Sequence, residues 1–164
     1  MMYVQFDFME KKPLKYRKAF TSQEAAQLTG CTVRQLQYWR EQEVVVPDIN
    51  APGTGRSIYY SRRDLVKLAA MQYCLSIGLN FDICRKALKI LEKANNAQQD
   101  LWITSEIRRF MFWRETTEKS LELVPFDLDL ALASLREGQP AIPLWLDKIR
   151  ERVAMRLEEA DDIH

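Results

Sequence analysis

The stretch FTSQEAAQLTGCTVRQLQYW, residues 20–39, decides how this sequence folds. Thr21 stands three residues before Glu24, which is the spacing of a capping box that satisfies backbone N–H groups at a helix start. Gly30 ends this helix, and Thr32 is placed to cap a second one. Two short helices joined by a brief turn that contains glycine predict a helix-turn-helix.

The sequence after these two helices predicts a β-hairpin beside them. Residues 44–46 are three valines that end at Pro47, and residues 58–60 are a second short run of strand-forming side chains. Residues 48–56 between them contain two glycines and a proline, which are typical of loops. We therefore expect a wing with a long tip.

Two further helices are predicted before residue 94. Ser61 and Asp64 have the spacing of another helix start, and Gly78 ends that helix. Asn80 is placed to cap the next helix. Its apolar side consists of Cys84, Ala87, Leu88 and Leu91. The order helix, helix, wing, helix, helix predicts a winged helix-turn-helix domain over residues 19–93.

In the order of these elements and the spacing between them, the chain resembles the MerR family of transcription regulators. The resemblance runs from Phe20 to Leu91 and includes the wing sequence GRSIYYS and the helix start RRDLVKL. It implies that the helix from Thr32 to Gln42 lies in the major groove of double-stranded DNA. It also implies that the wing reaches the flanking backbone or the minor groove. Gln37 stands where the family often has Arg.

The resemblance also implies which side chains meet the DNA. Polar side chains at the start and on the outward face of the second helix can reach bases or phosphates; they are Thr32, Arg34, Gln35, Gln37 and Tyr38. Arg suits phosphate or guanine, and Gln suits the edge of adenine. At the wing and just after it, the expected phosphate contacts are Arg56, Ser57, Tyr59, Arg62 and Arg63.

Four of these assignments have a simpler alternative. Tyr38 and Tyr59 could pack within the domain without touching DNA. Arg62 and Arg63 could be solvated, although cations at a helix start are unfavourable for the helix dipole, which favours a phosphate partner.

Charge is divided unevenly along the chain. Residues 1–93 carry a net charge of +6 and residues 94–164 a net charge of −5, which together give the total of +1. A basic half joined to an acidic half indicates that one end meets a polyanion. The alternative is two solvated surfaces of different charge.

Residues 94–164 differ from the family, whose members typically dimerise through a long antiparallel helix. No heptad repeat follows the polar residues 95–99, so that helix is predicted to be missing or replaced. The overall class is therefore α+β and mainly helical. The second half is predicted as a small module of antiparallel strands and helices.

The pattern of the second half predicts its elements in order. They are a strand at 101–104, a hairpin formed by 108–114 and 120–124, a helix marked by Leu128, Leu132 and Leu135, a break at Pro140 and Pro143, a helix over 144–157 and a frayed acidic tail over 158–164. Residues 1–18 form an N-terminal extension in which residues 3–8 alternate like a strand. This strand could pair with the hairpin.

We expect residues 94–164 to be the dimerisation module. A two-stranded hairpin in about 70 residues buries only a small core. The second half has more apolar side chains than such a core can bury; they are Trp102, Phe110, Phe112, Trp113, Leu144, Trp145, Ile149 and Val153. The apolar helix faces of the winged half are expected to pack within its own core. A two-fold contact between second halves would bury the excess.

Other classes of protein are disfavoured. The chain has no apolar run long enough to span a membrane and no secretory signal, so a cytoplasmic location is expected. Cys31, Cys74 and Cys84 are too far apart to suggest a metal cluster and are expected to be buried hydrophobes. His164 is the single histidine, and no catalytic motif is present, so neither an enzyme, a cofactor nor a bound metal is predicted.

The sequence thus favours a homodimeric repressor that binds a palindromic operator, with RNA polymerase at the promoter as a further candidate partner. Its compact size and replaced second half also resemble the MerR-type repressors carried with CRISPR-associated transposons. One alternative is an architectural or recombination-associated DNA-binding protein, such as an excisionase-like or segregation factor. Another is a regulator that senses a small molecule.

Overall fold

The computed structural model describes residues 13–50, 58–95, 100–104, 107–115 and 117–162. The helices in these ranges are α1 (Ser22–Thr29), α2 (Val33–Glu41), α3 (Arg62–Ser76), α4 (Phe81–Ala94), α5 (Leu128–Arg136) and α6 (Leu146–Asp162). One antiparallel sheet has the order β1 (Phe20–Thr21), β3 (Ile58–Tyr60), β2 (Ile49–Asn50). The other has the order β5 (Glu122–Pro125), β4 (Arg109–Trp113), β6 (Ile142–Trp145).

The predicted helix starts in the first half are confirmed. Thr21 and Glu24 form a capping box at α1, and Thr32 forms one at α2. Ser61 does the same at α3, and the Asn80 side chain accepts a backbone hydrogen bond at α4. Each cap satisfies N–H groups that a helix start otherwise leaves without partners, so local sequence fixes where these helices begin.

The hairpin differs from the prediction in where its first strand lies. The N–H groups of Val44 and Val45 both donate to the carbonyl of Trp39 at the end of α2, at 2.8 and 3.4 Å. These groups are therefore not available to a sheet, and the first strand is β2. The opposite edge of β3 pairs with β1, a strand that the sequence analysis missed. Residues 51–57 at the tip and the predicted strand over 3–8 lie outside the described residues.

The second half contains the predicted hairpin, β4 with β5, and a third strand that was not predicted. β6 forms at the proposed break because Pro143 lies on an edge strand opposite Met111, where a missing N–H is tolerated. The strand predicted at 101–104 is wrong. The N–H groups of Ile103 and Thr104 donate to the carbonyl of Asp100, which makes this segment a turn.

The last helix begins and ends later than predicted. α6 starts at Leu146 and continues to Asp162, so the expectation of a tail frayed from residue 158 is wrong over the part that the structure describes. The carboxylate of Asp161 accepts hydrogen bonds from the backbone N–H of Leu14 at 2.6 Å and of Lys15 at 3.0 Å. These bonds fasten the N-terminal segment to the end of α6.

One apolar core contains side chains from both halves of the chain. α6 packs against α3 and α1, and α4 packs against β5. Most of the side chains that the sequence analysis assigned to a dimer surface are buried here; they are Trp102, Phe110, Phe112, Leu144, Ile149 and Val153. Trp113 and Trp145 are half-buried. The expectation that the first half has no free apolar face is therefore wrong, while the division at residue 93 stays a prediction.

Trp102 offers a direct test of this shared core. Its side chain is buried, with the Lys67 ammonium 5.6 Å from its ring centroid, whereas the neighbouring Ile103 is 58% exposed. We expect Trp102→Ala to lower the free energy of unfolding by about 3–5 kcal/mol, because it leaves a large cavity. Ile103→Ala is the matched control and should change it by less than about 0.5 kcal/mol. Urea unfolding followed by circular dichroism measures both, and equal effects would contradict the shared core.

Candidate nucleic-acid interface

Helix α2 presents a polar face to solvent from a fixed position. Leu36 and Trp39 are buried and hold the helix against the core. The opposite face carries Thr32, Arg34, Gln37 and Tyr38, all exposed. Val33, although apolar, is 46% exposed and belongs to the outward side.

The polar side chains of α2 are not equally free to meet a ligand. The Gln35 Oε1 accepts the backbone N–H of Thr32 at 2.9 Å, so this side chain serves the cap. Gln37 Nε2 donates to the Glu41 carboxylate at 3.0 Å on the exposed surface. The ring of Tyr38 lies 5.3 Å from that of Phe81 at the start of α4, and 47% of the residue stays exposed. Tyr38 therefore packs within the domain and also faces outward.

The two arginines at the start of α3 have partners inside the chain. Arg62 donates to the backbone carbonyls of Lys15 and Arg17, and so holds the N-terminal segment beside α3. Arg63 pairs with Asp100 and lies near Asp48, and the hydrogen bond to Asp100 raises its pKa. Their contact with phosphate stays a prediction, and the geometry gives each a positioning role that the sequence pattern did not reveal.

The remaining predicted contacts belong to the hairpin. Arg56 and Ser57 lie outside the described residues. Tyr59 is half-buried on β3, where it pairs with Thr21 of β1 and with Ile49 of β2. The central position of β3 fixes where the hairpin leaves the domain.

A buried carboxylate anchors the base of the hairpin. Asp64 is fully buried, and its Oδ2 accepts hydrogen bonds from the backbone N–H of Asp48 at 2.9 Å and of Ser61 at 2.8 Å. Burial raises the pKa of Asp64, and the two backbone hydrogen bonds oppose that rise. The sequence pattern identifies Asp64 only as part of a helix cap. Its hydrogen bond from the N–H of Asp48 joins residues on either side of the hairpin, so no local pattern predicts it.

Helix α6 contacts the turn between α1 and α2 through Arg156. Its Nη1 donates to the carbonyl of Leu28 at 3.2 Å, near the end of α1. The same atom lies 3.2 Å from the position that a Cβ on Gly30 would occupy, and Gly30 has a φ of 75°. Sequence reasoning missed Arg156, because no local signal connects residues 28 and 156.

The cysteines are buried, as expected. Burial raises the pKa of the Cys31 thiol to about 11. A hydrogen bond between the other two thiols raises the pKa of Cys74 and lowers that of Cys84. Within the described ranges, no three His, Cys, Asp or Glu side chains are grouped so that they could hold a metal ion.

Arg156→Met should show how much the contact of Arg156 with the turn between α1 and α2 contributes to stability. Loss of the hydrogen bond to Leu28 is expected to cost about 1 kcal/mol of unfolding free energy. Arg152→Met, which removes an exposed arginine one turn earlier on the same helix, is the control and should cost less than half as much. Denaturant titration measures both variants, and equal costs would show that Arg156 does not stabilise the turn.

Thiol chemistry tests the burial of the cysteines. At about pH 8 the folded protein should react with a thiol reagent such as dithiobis-nitrobenzoate far more slowly than free cysteine, because the thiols are buried and Cys31 stays protonated below its raised pKa. All three should react in denaturant. Rapid reaction of a thiol in the folded protein, followed by absorbance, would contradict this arrangement.

Comparison with known proteins agrees with the geometry of the first half. Residues 20–90 match the family described as MerR HTH family regulatory protein. An uncharacterized HTH-type transcriptional regulator of Mycobacterium bovis is 36% identical over 70 residues, and proteins of the same description from two strains of Mycobacterium tuberculosis match equally. The match covers 42% of this chain and 31% of each relative, so the chain spans about a third of their length. Residues 20–90 are therefore similar in sequence to the MerR HTH family of regulatory proteins.

Proposed function

We propose that this protein is a sequence-specific DNA-binding transcription regulator whose helix α2 enters the major groove. The observation that carries the proposal is the outward polar face of a capped helix held rigidly by Leu36 and Trp39. The major groove admits an α-helix and presents a distinct pattern of donors and acceptors for each base pair. The relatives that match this segment are described as transcriptional regulators.

Individual side chains of α2 would have different tasks in the groove. The exposed guanidinium of Arg34 can donate two parallel hydrogen bonds to guanine or to a phosphate. Gln37 can exchange its bond to Glu41 for the edge of adenine, since that bond lies at the surface. Thr32 and Tyr38 would contact the backbone from the start and the side of the helix.

The hairpin and the charge distribution support contacts with phosphates. We assign Arg56, Ser57 and Tyr59 to the flanking backbone. Arg62 and Arg63 would act mainly by positioning the segments that they hold. The net charge of +6 on residues 1–93 favours approach to DNA, and the net charge of −5 on residues 94–164 disfavours contact by the second half.

We further propose that the protein binds a palindromic operator as a homodimer and represses transcription. A single helix-turn-helix half-site offers a small polar interface, and specificity usually comes from two half-sites read by a two-fold dimer. An operator that overlaps a promoter would exclude RNA polymerase while the dimer is bound. Residues 94–164 supply the dimer contact in this proposal.

The cavity between α3, β6 and α6 gives little support for a role in sensing a small molecule. Its lining includes Tyr73, Trp145 and Arg152, and its volume is about 80 Å³. Ligand pockets usually measure about 300–1,000 Å³, so this cavity is small for a ligand.

Among the described residues, no helix combines the length and apolar character needed to cross a membrane.

A binding experiment tests the DNA proposal. Duplexes are first selected from a random pool with the full chain, and affinity for the selected duplex is then measured by fluorescence anisotropy. We expect Arg34→Ala, Tyr38→Ala and Arg56→Ala each to weaken binding by about 1–3 kcal/mol, because each removes a base or phosphate contact. Affinity should also fall steeply with salt, since neutralised phosphates release counterions.

Lys148→Ala is the matched control, because it removes an exposed cation from α6 in the second half. It should bind the selected duplex like the parent protein. If all three test variants also bind like the parent, the assignment of this face is wrong. Genome-wide occupancy then separates the classes of function: few promoter palindromes fit a regulator, whereas many dispersed sites fit an architectural protein.

A further inference from the structure

Helix α5 exposes a row of leucines although its opposite side is firmly held. Leu128, Leu132 and Leu135 are 61%, 43% and 57% exposed. On the inner side, Ala131 and Ser134 are buried, and the indole N–H of Trp113 donates to the Ser134 hydroxyl at 2.7 Å. The leucine row therefore faces solvent in a fixed direction.

The spacing of this row is that of a helix–helix contact. Leu128, Leu132 and Leu135 follow an i, i+4, i+7 pattern, which places them in one narrow stripe along the helix. Phe126, 38% exposed, lies just before the helix, with its ring 6.1 Å from that of Trp145. Isolated exposed leucines are normal on protein surfaces, but a contiguous stripe with this period indicates an interaction site. We call Leu128, Leu132 and Leu135 the leucine seam.

We propose that the leucine seam is the contact between two copies of this chain, which pack antiparallel along α5. The inference rests on the proposed function, because it names the surface by which the operator-binding dimer would form. An antiparallel two-fold arrangement would place Leu128 of one copy opposite Leu135 of the other. Leu132 of each copy would lie next to the symmetry axis.

The charges beside the seam favour this arrangement over a parallel one. Asp129 and Arg136 are seven residues apart, so both lie on the same side of the seam. In an antiparallel pair, Asp129 of each copy faces Arg136 of the other, which gives two attractive pairs. In a parallel pair, this side of one helix would face the opposite side of the other, where Ala131 and Ser134 are buried, so the two charge pairs would not form. The α5 surface is therefore complementary to itself in only one of the two directions.

The seam is short, and this sets the expected strength of the dimer. A stable interface typically buries about 800 Å² on each partner, which is more than a helix of nine residues is expected to provide. We expect self-association in the micromolar range. Binding to two adjacent half-sites would strengthen it, because DNA raises the effective concentration of the second copy.

Sedimentation velocity of the full chain without DNA tests the seam, from about 1 to about 100 µM. The parent protein should pass from monomer to dimer with rising concentration. Leu132→Glu should weaken the dimer at least about tenfold, because it places a charge in the apolar contact. Met155→Glu makes the same kind of change at an exposed position of α6 and is the matched control, with no expected effect.

The charge pairs give a second test that does not depend on the leucines. Asp129→Arg and Arg136→Asp should each weaken the dimer when present alone, and an equimolar mixture of the two variants should recover association. A parent protein that stays monomeric over the whole range overturns the proposal, as does a Leu132→Glu protein that dimerises like the parent. Failure of DNA binding by the parent protein would instead contradict the proposed function, whatever its state of association.

Discussion

The burial of Ile149, Val153 and Leu157 on α6 is the interaction on which the rest of this structure depends. These side chains face the core that α3 and α1 also enter, so the last helix of the chain completes the packing of the first. The same helix reaches the turn before α2 through Arg156 and the N-terminal segment through Asp161. The orientation of α2, the helix proposed to enter DNA, is thus tied to contacts made by α6 at residues 146–162.

Local signals account well for the parts of the fold that were predicted. Thr21, Thr32 and Ser61 each fix a helix start through contacts within three residues, and such contacts can be read from sequence. Gly30 marks a helix end because its left-handed backbone conformation disfavours other residues. The pairing of β4 with β5 follows from alternation on either side of a polar loop.

The errors share a physical cause, which is competition from contacts that the pattern of side chains does not show. The valines at 44 and 45 look like a strand, but their N–H groups turn back to Trp39. Pro143 looks like a break, yet an edge strand tolerates it beside β4. The apolar excess of the second half looked like a dimer surface because nothing in the sequence shows that α6 covers the first half.

The candidate site was predictable to the same extent. The outward face of α2 follows from helical periodicity, and it includes Arg34, Gln37 and Tyr38 as expected. The partners of Arg62 and Arg63 could not be anticipated, because the carbonyl of Lys15 and the carboxylate of Asp100 approach only in the folded chain. The leucines of α5 marked a helix correctly, while their exposure became visible only with the sheet in place.

Site-specific photo-crosslinking tests the central claim most directly, namely that α2 reads DNA. A photoreactive amino acid is placed at Gln37 on α2 or at Ile103 in the second half, both exposed positions, and each protein is irradiated on its selected duplex. The account predicts crosslinks from position 37 to bases of each half-site and none from position 103. Binding to the duplex without crosslinks from position 37, or with equal crosslinks from both positions, would contradict it.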